Sequence, residues 1–564
     1  MEKKISISNN QVILNYNKAY PKDRQEFLAS KTFQVYIQYF ISSQKEKNVD
    51  LYKYLTQDGK YDSQEAAAEF THFLRLLSVF KMDEIRNDYA LDEKHLLDTI
   101  EEIYKSWRDL QRFAVMSSEN IDGFGVNTLV ARDSAVNSLF LRTYRLFEER
   151  AMHRRNVVYR QAQAGTNACF SVYRHKNLWD PQYEALMNIP VIDTVMLRTP
   201  MILHPKSSKR EGVINETDTN PITYFAGDPE EWFCFPCKVG KLLCFVYFNT
   251  KYIASALSMA NLFELASREE SEQKPDLICI YGNPDDSNET QFYHDTENDI
   301  WVGCISDHPR VEYFGYLKKM CLTLHNLAMM QRGWLPIHGA FVNITLNDGR
   351  KKGLMLMGDS GAGKSESIEA LKAVGHDIIR DIEVVFDDMG TIHIEDGVPY
   401  GQGTEIGAFV RLDDLDPGTP YRDMDRAVIM GPENPNARMV VPASPYRVVV
   451  HNHTIDLFAY ANNYTDEYGL KQRPIEDVKE TCKQGKRMAL GTTQEVGIST
   501  TYFANPFGPM QKQELCEPLI DKMFQCMKDN GVFVGEIYTH LGFDRANRKG
   551  LDIAAKELLE FIKK

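Results

Sequence analysis

Apolar residues at Leu96, Leu97, Ile100, Ile103, Tyr104, Trp107, Leu110 and Phe113 recur at the spacing of one helical face, so the pattern predicts an amphipathic helix. Ala66-Ala67-Ala68 and the apolar positions from Phe70 to Phe80 predict another, and residues 20–165 read as mainly helical. From about residue 190 the texture changes. Short β-rich runs, Leu242–Phe248, Leu277–Tyr281 and Trp301–Ile305, alternate with helical stretches such as Ile253–Arg268, the pattern of a mixed α/β domain. Ser267–Lys274 and Asn283–Asp299, rich in Asp, Glu, Asn and Ser, read as surface loops. A third region opens near Trp334 with Ile337–Leu346 and Gly353–Met357, is interrupted by loops around Asp413–Tyr421 and Gly431–Ala437, and closes on a helix over Leu551–Ile562.

Composition narrows the function classes. The chain has 564 residues, 43% hydrophobic and 26% charged, enough for two or more domains with a sizeable core. Its net charge of −14 and the lack of a long basic run argue against nucleic acid as the main partner, because phosphate neutralisation needs clustered Lys and Arg. A local basic pocket for a small anion remains compatible with that total. The first thirty residues lack a signal-like apolar segment, and no apolar stretch is long enough to span a bilayer. The expected setting is cytoplasmic, with no membrane. Of ten cysteines only Cys234 and Cys237 form a CxxC, with no second ligand pair at matching spacing, so free thiols are expected.

The chemistry-bearing signal is Gly358-Asp359-Ser360-Gly361-Ala362-Gly363-Lys364-Ser365, a full G-x-x-x-x-G-K-[ST] match. An apolar run, Gly353–Met357, enters it and a helical segment, Glu366–Ala373, leaves it, with Gly375 where a helix-terminating glycine belongs. The glycines let backbone N–H groups converge on phosphate oxygens, and the following helix adds its positive end. Lys364 is expected to reach the β- and γ-phosphates of ATP, and Ser365 to ligate Mg²⁺. Beyond the helix, Asp381 ends a short apolar run and is the expected second metal-holding acid, the counterpart of the acid that P-loop sites place there.

In order along the chain, several segments resemble the phosphoenolpyruvate carboxykinases, with a second likeness to HPr kinase/phosphorylase. Tyr313-Phe-Gly-Tyr-Leu-Lys318-Lys319 is similar to the carboxykinase Y-G-G-E-M-K-K, and Pro336-Ile-His338-Gly-Ala to M-H-C-S-A. Met196-Leu-Arg198-Thr-Pro200 is similar to T-G-R-S-P, and Glu433-Asn434-Pro-Asn-Ala-Arg438 to E-N-T-R. Ala489–Gly497 and Asn505–Gly508 resemble A-G-T-E-R-G and G-A-P-F. The resemblance covers roughly residues 190–560. It implies a two-lobed carboxykinase-like α/β core, with a substrate-side lobe over 186–333 and a P-loop lobe over 334–564; the mainly helical N-terminal extension over 1–185 that precedes it has no counterpart in the family.

By the same resemblance, Lys319, His338 and Asp381 hold Mn²⁺, Arg198 and Tyr313 bind a small carboxylate, and Arg438 steadies the transferring phosphoryl group. The implied reaction converts oxaloacetate and ATP to phosphoenolpyruvate, CO₂ and ADP. Two departures matter. The family's paired acids, in G-D-D-E-H, align with Arg380-Asp381-Ile382-Glu383-Val384, so Ile382 stands where a metal ligand is expected and Asp381 or Glu383 has to substitute. Glu366 after Gly-Lys-Ser gives the HPr kinase form of the loop. A kinase acting on a protein or small-molecule hydroxyl, with Asp381 as base, is therefore the second reading. A nucleotide sensor without turnover is the third; in it the helical extension mediates self-association or partner binding.

Overall fold

The computed structural model describes residues 5–8, 11–15, 21–115, 125–160, 167–175, 180–285, 287, 289–412, 424–490, 496–543 and 548–564. The chain divides into two compact units, Met1–Asn156 and Val157–Lys564. Both α-helices and β-sheets contribute, in keeping with the α/β class read from the pattern.

The first unit is mainly helical. The Glu93–Asp109 helix buries Leu96, Ile100 and Trp107, the stripe its periodicity predicts. It stops sooner than expected: Phe113 lies on a strand, Gln111–Val115, that pairs in parallel with Gln11–Asn15. The Ser63–Leu77 helix starts on a capping box in which Asp62 and Glu65 satisfy each other's backbone amides, an arrangement that stabilises a helix start by roughly 1 kcal/mol. Trp107 stacks on Phe140 at 3.8 Å in the centre of this core.

The second unit begins earlier than residue 186. Val158–Tyr159 and Ala168–Tyr173 already pair with Val191–Leu197 in a ten-stranded sheet that also holds the expected strands near 242, 277 and 301. Two other expectations change here. Asn283–Asp299 contains a strand, Thr290–Asp295, paired with Ile300–Ser306. The stretch Ile253–Arg268 breaks into a short helix, Ile253–Ser258, a 3-10 turn and a two-residue strand. Its apolar residues serve the sheet core rather than one continuous helical face.

A nine-stranded sheet carries the glycine-rich loop. At its centre Leu335–Leu346 pairs antiparallel with Lys351–Met357, which runs parallel to Leu457–Asn462 and through it to Phe533–Tyr538. In parallel sheet segments ligands gather beyond the carboxyl ends of the strands, and that is where residues 358–365 lie. No helix among the described residues is long and apolar enough to cross a membrane.

Candidate functional site

The loop leaves Met357 and turns directly into the Lys364–Val374 helix, as the motif requires. Gly363, at φ +99°, leaves no room for a side chain: a Cβ there would stand 2.7 Å from Thr539 Cγ2. The two flanking parallel strands fasten the turn from outside. Asn463 Nδ2 donates to Gly361 O at 3.1 Å and Thr539 Oγ1 donates to Ala362 O at 3.0 Å. Within the loop the Ser360 and Ala362 amides are donated to Asp359 Oδ1 and Asp359 O, and the amides at the start of the following helix are of the kind that receive phosphate oxygens. Gly375 ends the helix at φ −95°, so it is there for space and not for left-handed backbone: a Cβ would meet Ile379 Cδ1 at 2.4 Å.

Lys364 is buried, and its Nζ donates to Gly358 O and Asp359 O at 2.8 and 3.0 Å. Burial lowers its pKa, which the surrounding carboxylates partly offset. Asp359 accepts the Ser360 amide and pairs with Arg487 Nε at 3.1 Å, while Arg487 Nη1 donates to Ser360 O at 2.5 Å. Ser360 is exposed, and Ala362 is buried under the loop. Glu366 follows Ser365 in the first helical turn, where its charge acts on both Lys364 and Asp387.

The acid beside Ser365 is Asp387, not Asp381. Ser365 Oγ donates to Asp387 Oδ1 at 2.7 Å. The strand Ile379–Phe386 runs antiparallel to Leu335–Leu346, with Asp381 opposite Thr345 and Phe386 opposite Phe341. Thr345 lies seven positions along that strand from His338, a separation of roughly 23 Å in an extended chain. Asp381 is therefore an exposed strand residue at the far end, and Glu383, opposite Asn343, is no substitute either. The strand had to run five residues further before its acids reached the loop. The adjacent acids that do reach the loop are Asp387 and Asp388.

Asp388 gathers the remaining groups. Its Oδ2 lies 2.7 Å from Lys318 Nζ and 2.5 Å from Lys319 Nζ, and its Oδ1 lies 3.1 Å from His338 Nε2. Lys318 is 1% exposed and also 2.8 Å from the buried Glu405 Oε1, close but poorly aligned for a hydrogen bond. The two neighbouring lysines are thereby driven apart. Burial acts against the charge on Lys318, yet Asp388 and Glu405 outweigh it and hold the pKa above the ordinary value. Burial lowers Lys319, only partly offset by Asp388, and the positive charge of Lys318 lowers it further. Asp388 is held well below the usual carboxylate range, because Lys318, Lys319 and His338 together outweigh its burial. Asp387 is pushed by burial up to about 6, a rise that its hydrogen bond with Ser365 and the charge of Lys364 only partly offset.

His338 has a fixed tautomer. Its Nδ1 stands 2.7 Å from Ala504 O, and a carbonyl only accepts, so Nδ1 carries the proton. Nε2 then faces Asp388 either protonated or as a lone pair aimed at a shared cation. The carbonyl comes from a strained corner, for Phe503 and Ala504 both have left-handed backbone, φ +52° and +46°.

Around this cluster the structure brings in Tyr313, whose ring lies 6.0 Å from Phe409, and Arg438, whose Cζ lies 5.5 Å from the same ring. Lys318 Nζ is also 5.5 Å from it. Arg198 is not brought in. It is exposed, its amide donates to Asn167 O, and among the described residues it has no contact with the lysine–aspartate cluster. Part of the A-G-T-E-R-G echo, residues 491–495, lies outside the described residues, as does the loop over 413–421. Cys234 and Cys237 are buried free thiols. Among the described residues no group of three or more His, Cys, Asp and Glu is arranged to hold a metal ion. A comparison with family models and one with curated proteins find no match for the chain.

Proposed function

We propose that this chain is a metal-dependent phosphoryl-transfer enzyme of the carboxykinase type, converting oxaloacetate and ATP to phosphoenolpyruvate, CO₂ and ADP. The supporting observation is the meeting of Lys319, His338 and Asp388 immediately beside Ser365–Asp387 and the Lys364 loop. A kinase needs the phosphate loop and one metal-holding acid; the second cluster, with a lysine pushed toward its neutral form, is what a carboxykinase adds.

The donor set fits a divalent cation. His338 presents Nε2 with its other nitrogen anchored to a carbonyl, Asp388 is ionised, and Lys319 has the lowered pKa that a lysine ligand needs. A bound Mn²⁺ would supply Lewis-acid stabilisation of a developing enolate oxygen. Ser365 and Asp387 are the residues that would hold Mg²⁺ beside the triphosphate.

In the reaction the C–C bond to the departing carboxylate breaks, CO₂ leaves, and the electron pair remains as the enolate. The enolate oxygen then forms the new bond to the γ-phosphorus as the bond to the β-phosphate oxygen breaks, releasing ADP. Lys364 exchanges its two carbonyl partners for phosphate oxygens, and Arg438 neutralises charge on the group in transit. Lys318, pinned between Asp388 and Glu405, keeps the acid in register beneath Lys319.

A kinase for a hydroxyl acceptor is the second reading, favoured by Asp387, whose pKa near 6 suits a general base. The purified chain with ATP, Mg²⁺ and Mn²⁺ separates the two. Oxaloacetate-dependent phosphoenolpyruvate formation that disappears in Lys319→Ala and His338→Ala supports the carboxykinase. ATP binding and hydrolysis without that product moves the assignment to the kinase.

A further inference from the structure

The helical unit Met1–Asn156 holds an apolar cleft of its own. Phe27 of the Arg24–Ala29 helix, Ile100 and Trp107 of Glu93–Asp109, and Phe140, Thr143 and Phe147 of Gly125–Ala151 line it. Its empty space is about 400 Å³, counting the part open to solvent. Flat aromatic walls shape it. Besides the Trp107–Phe140 stack, Tyr104 lies on Tyr144 at 4.1 Å with the rings 8° apart, and Phe27 meets Phe140 edge-on at 4.5 Å. Such a lining takes an apolar body, and a few polar groups then decide what that body must carry.

Those groups are present and short of partners. Thr143 is 2% exposed, and its hydroxyl has no hydrogen-bond partner. A threonine inside a helix ordinarily bonds back to the carbonyl one turn earlier, so this hydroxyl is a buried polar group left unpaired. The half-buried Arg24 stands one turn before Phe27, and Arg150 one turn after Phe147. Residues three apart on a helix share a face, so both arginines project beside rings that line the cleft. Arg142 is the neighbour of Thr143, with Nε 3.4 Å from Ser138 O. Burial, and then the positive charges of Arg142 and Arg150, lower the Arg24 pKa. The three guanidiniums therefore repel one another, and among the described residues no carboxylate pairs with any of them. Arg24 Nε is itself buried without a hydrogen-bond partner. An apolar cleft excludes a bare inorganic anion, and three uncompensated guanidiniums disfavour a neutral hydrocarbon. One ligand chemistry satisfies both.

We propose that this cleft binds a small amphipathic acid, its apolar body among the aromatic rings and its carboxylate against Arg24, Arg142 and Arg150. A guanidinium's planar fork takes a carboxylate in two parallel hydrogen bonds, and the arriving charge relieves the repulsion among the three arginines. The site belongs to the helical unit and is independent of the phosphoryl-transfer reading.

The test is calorimetric titration of three probes into the full chain: octanoate, 1-octanol with the same body and no charge, and acetate with the charge and no body. Octanoate is expected to bind at least tenfold more tightly than 1-octanol, and acetate not measurably. Arg24→Gln should bring octanoate down to within threefold of 1-octanol while leaving 1-octanol unchanged. Arg150→Gln should show the same selective loss, and it carries the test if Arg24→Gln does not fold. Thr143→Phe, which fills the cleft, should weaken octanoate and 1-octanol alike by at least tenfold. Thermal melts followed by circular dichroism show which variants are folded. No octanoate binding by the parent overturns the proposal. So does 1-octanol binding as tightly as octanoate, an octanoate affinity that survives the arginine variants, or one unchanged in folded Thr143→Phe.

Discussion

Replacing Asp388 by Asn removes one negative charge while keeping the side-chain shape, and it tests which acid matters. Asp388 stands against Lys318, Lys319 and His338 at 2.7, 2.5 and 3.1 Å, and Lys318 is 1% exposed. Removing one partner from a buried ion pair typically costs about 3–5 kcal/mol, since the other charge stays buried. Two features reduce this. Glu405 still faces Lys318, and the Asp388 side chain is 24% exposed. The expected loss is about 2–4 kcal/mol. Asp381→Asn, at an exposed strand position, should change stability by less than about 0.5 kcal/mol.

Urea unfolding followed by far-UV circular dichroism compares the variants. The chain has two units and need not unfold in one step, so the transition that Asp388→Asn moves is the one to score. Mn²⁺ titration gives an independent readout, with affinity falling at least tenfold in Asp388→Asn and unchanged in Asp381→Asn. A neutral Asp388→Asn, or an Asp381→Asn that costs as much, would refute the assignment of the paired acids.

Other tests address separate links in the argument. His325, buried in the Gly315–Gln331 helix, has its pKa lowered by burial from 6.5 to about 4. A depressed histidine pKa means stability that is complete above pH 6.5 and is lost as pH falls through 4, about 3 kcal/mol in all. Thermal melts at pH 7 and pH 4 should therefore show His325→Leu gaining on the parent at the acidic end; parallel pH profiles would contradict this. Gly363→Ala forces a side chain to within 2.7 Å of Thr539 and strains a positive-φ residue. Fluorescent-nucleotide titration should show at least a tenfold loss of ATP affinity, and parental affinity would mean the loop backbone is not the phosphate cradle. Lys364→Met should weaken ATP binding with little change in thermal stability, because the buried ammonium it removes carries a desolvation cost of its own.

The glycine-rich loop was legible because its chemistry is local. Strand, turn and helix follow within twenty-five residues, and Gly358, Gly363, Lys364 and Ser365 each have a role that adjacent backbone dictates. Lys319 and His338 were legible as types, although their meeting depends on Asp388, which sequence reading overlooked. The signal was present as Phe386-Asp387-Asp388, two adjacent acids after an apolar run. It was missed because the strand before them is longer than expected, and register against Leu335–Leu346, not sequence distance, decides which acid arrives. Arg487 and Phe409 gave no signal of their own, and Phe507 gave only its place in the Asn505–Gly508 echo. Each gains its neighbours only when distant segments pair. Phe113 and Ile253–Arg268 failed for the opposite reason, since a short apolar spacing fits a helix and a strand alike.

The corner at Phe503 and Ala504 puts stability and chemistry at odds. Two residues there hold a backbone shape that glycine would adopt at lower cost, by roughly 1 kcal/mol each. Anyone selecting this chain for heat tolerance would be led to Ala504→Gly as an improvement. The same exchange would loosen the carbonyl that orients the imidazole, so under the proposed function the sturdier protein would be the poorer catalyst.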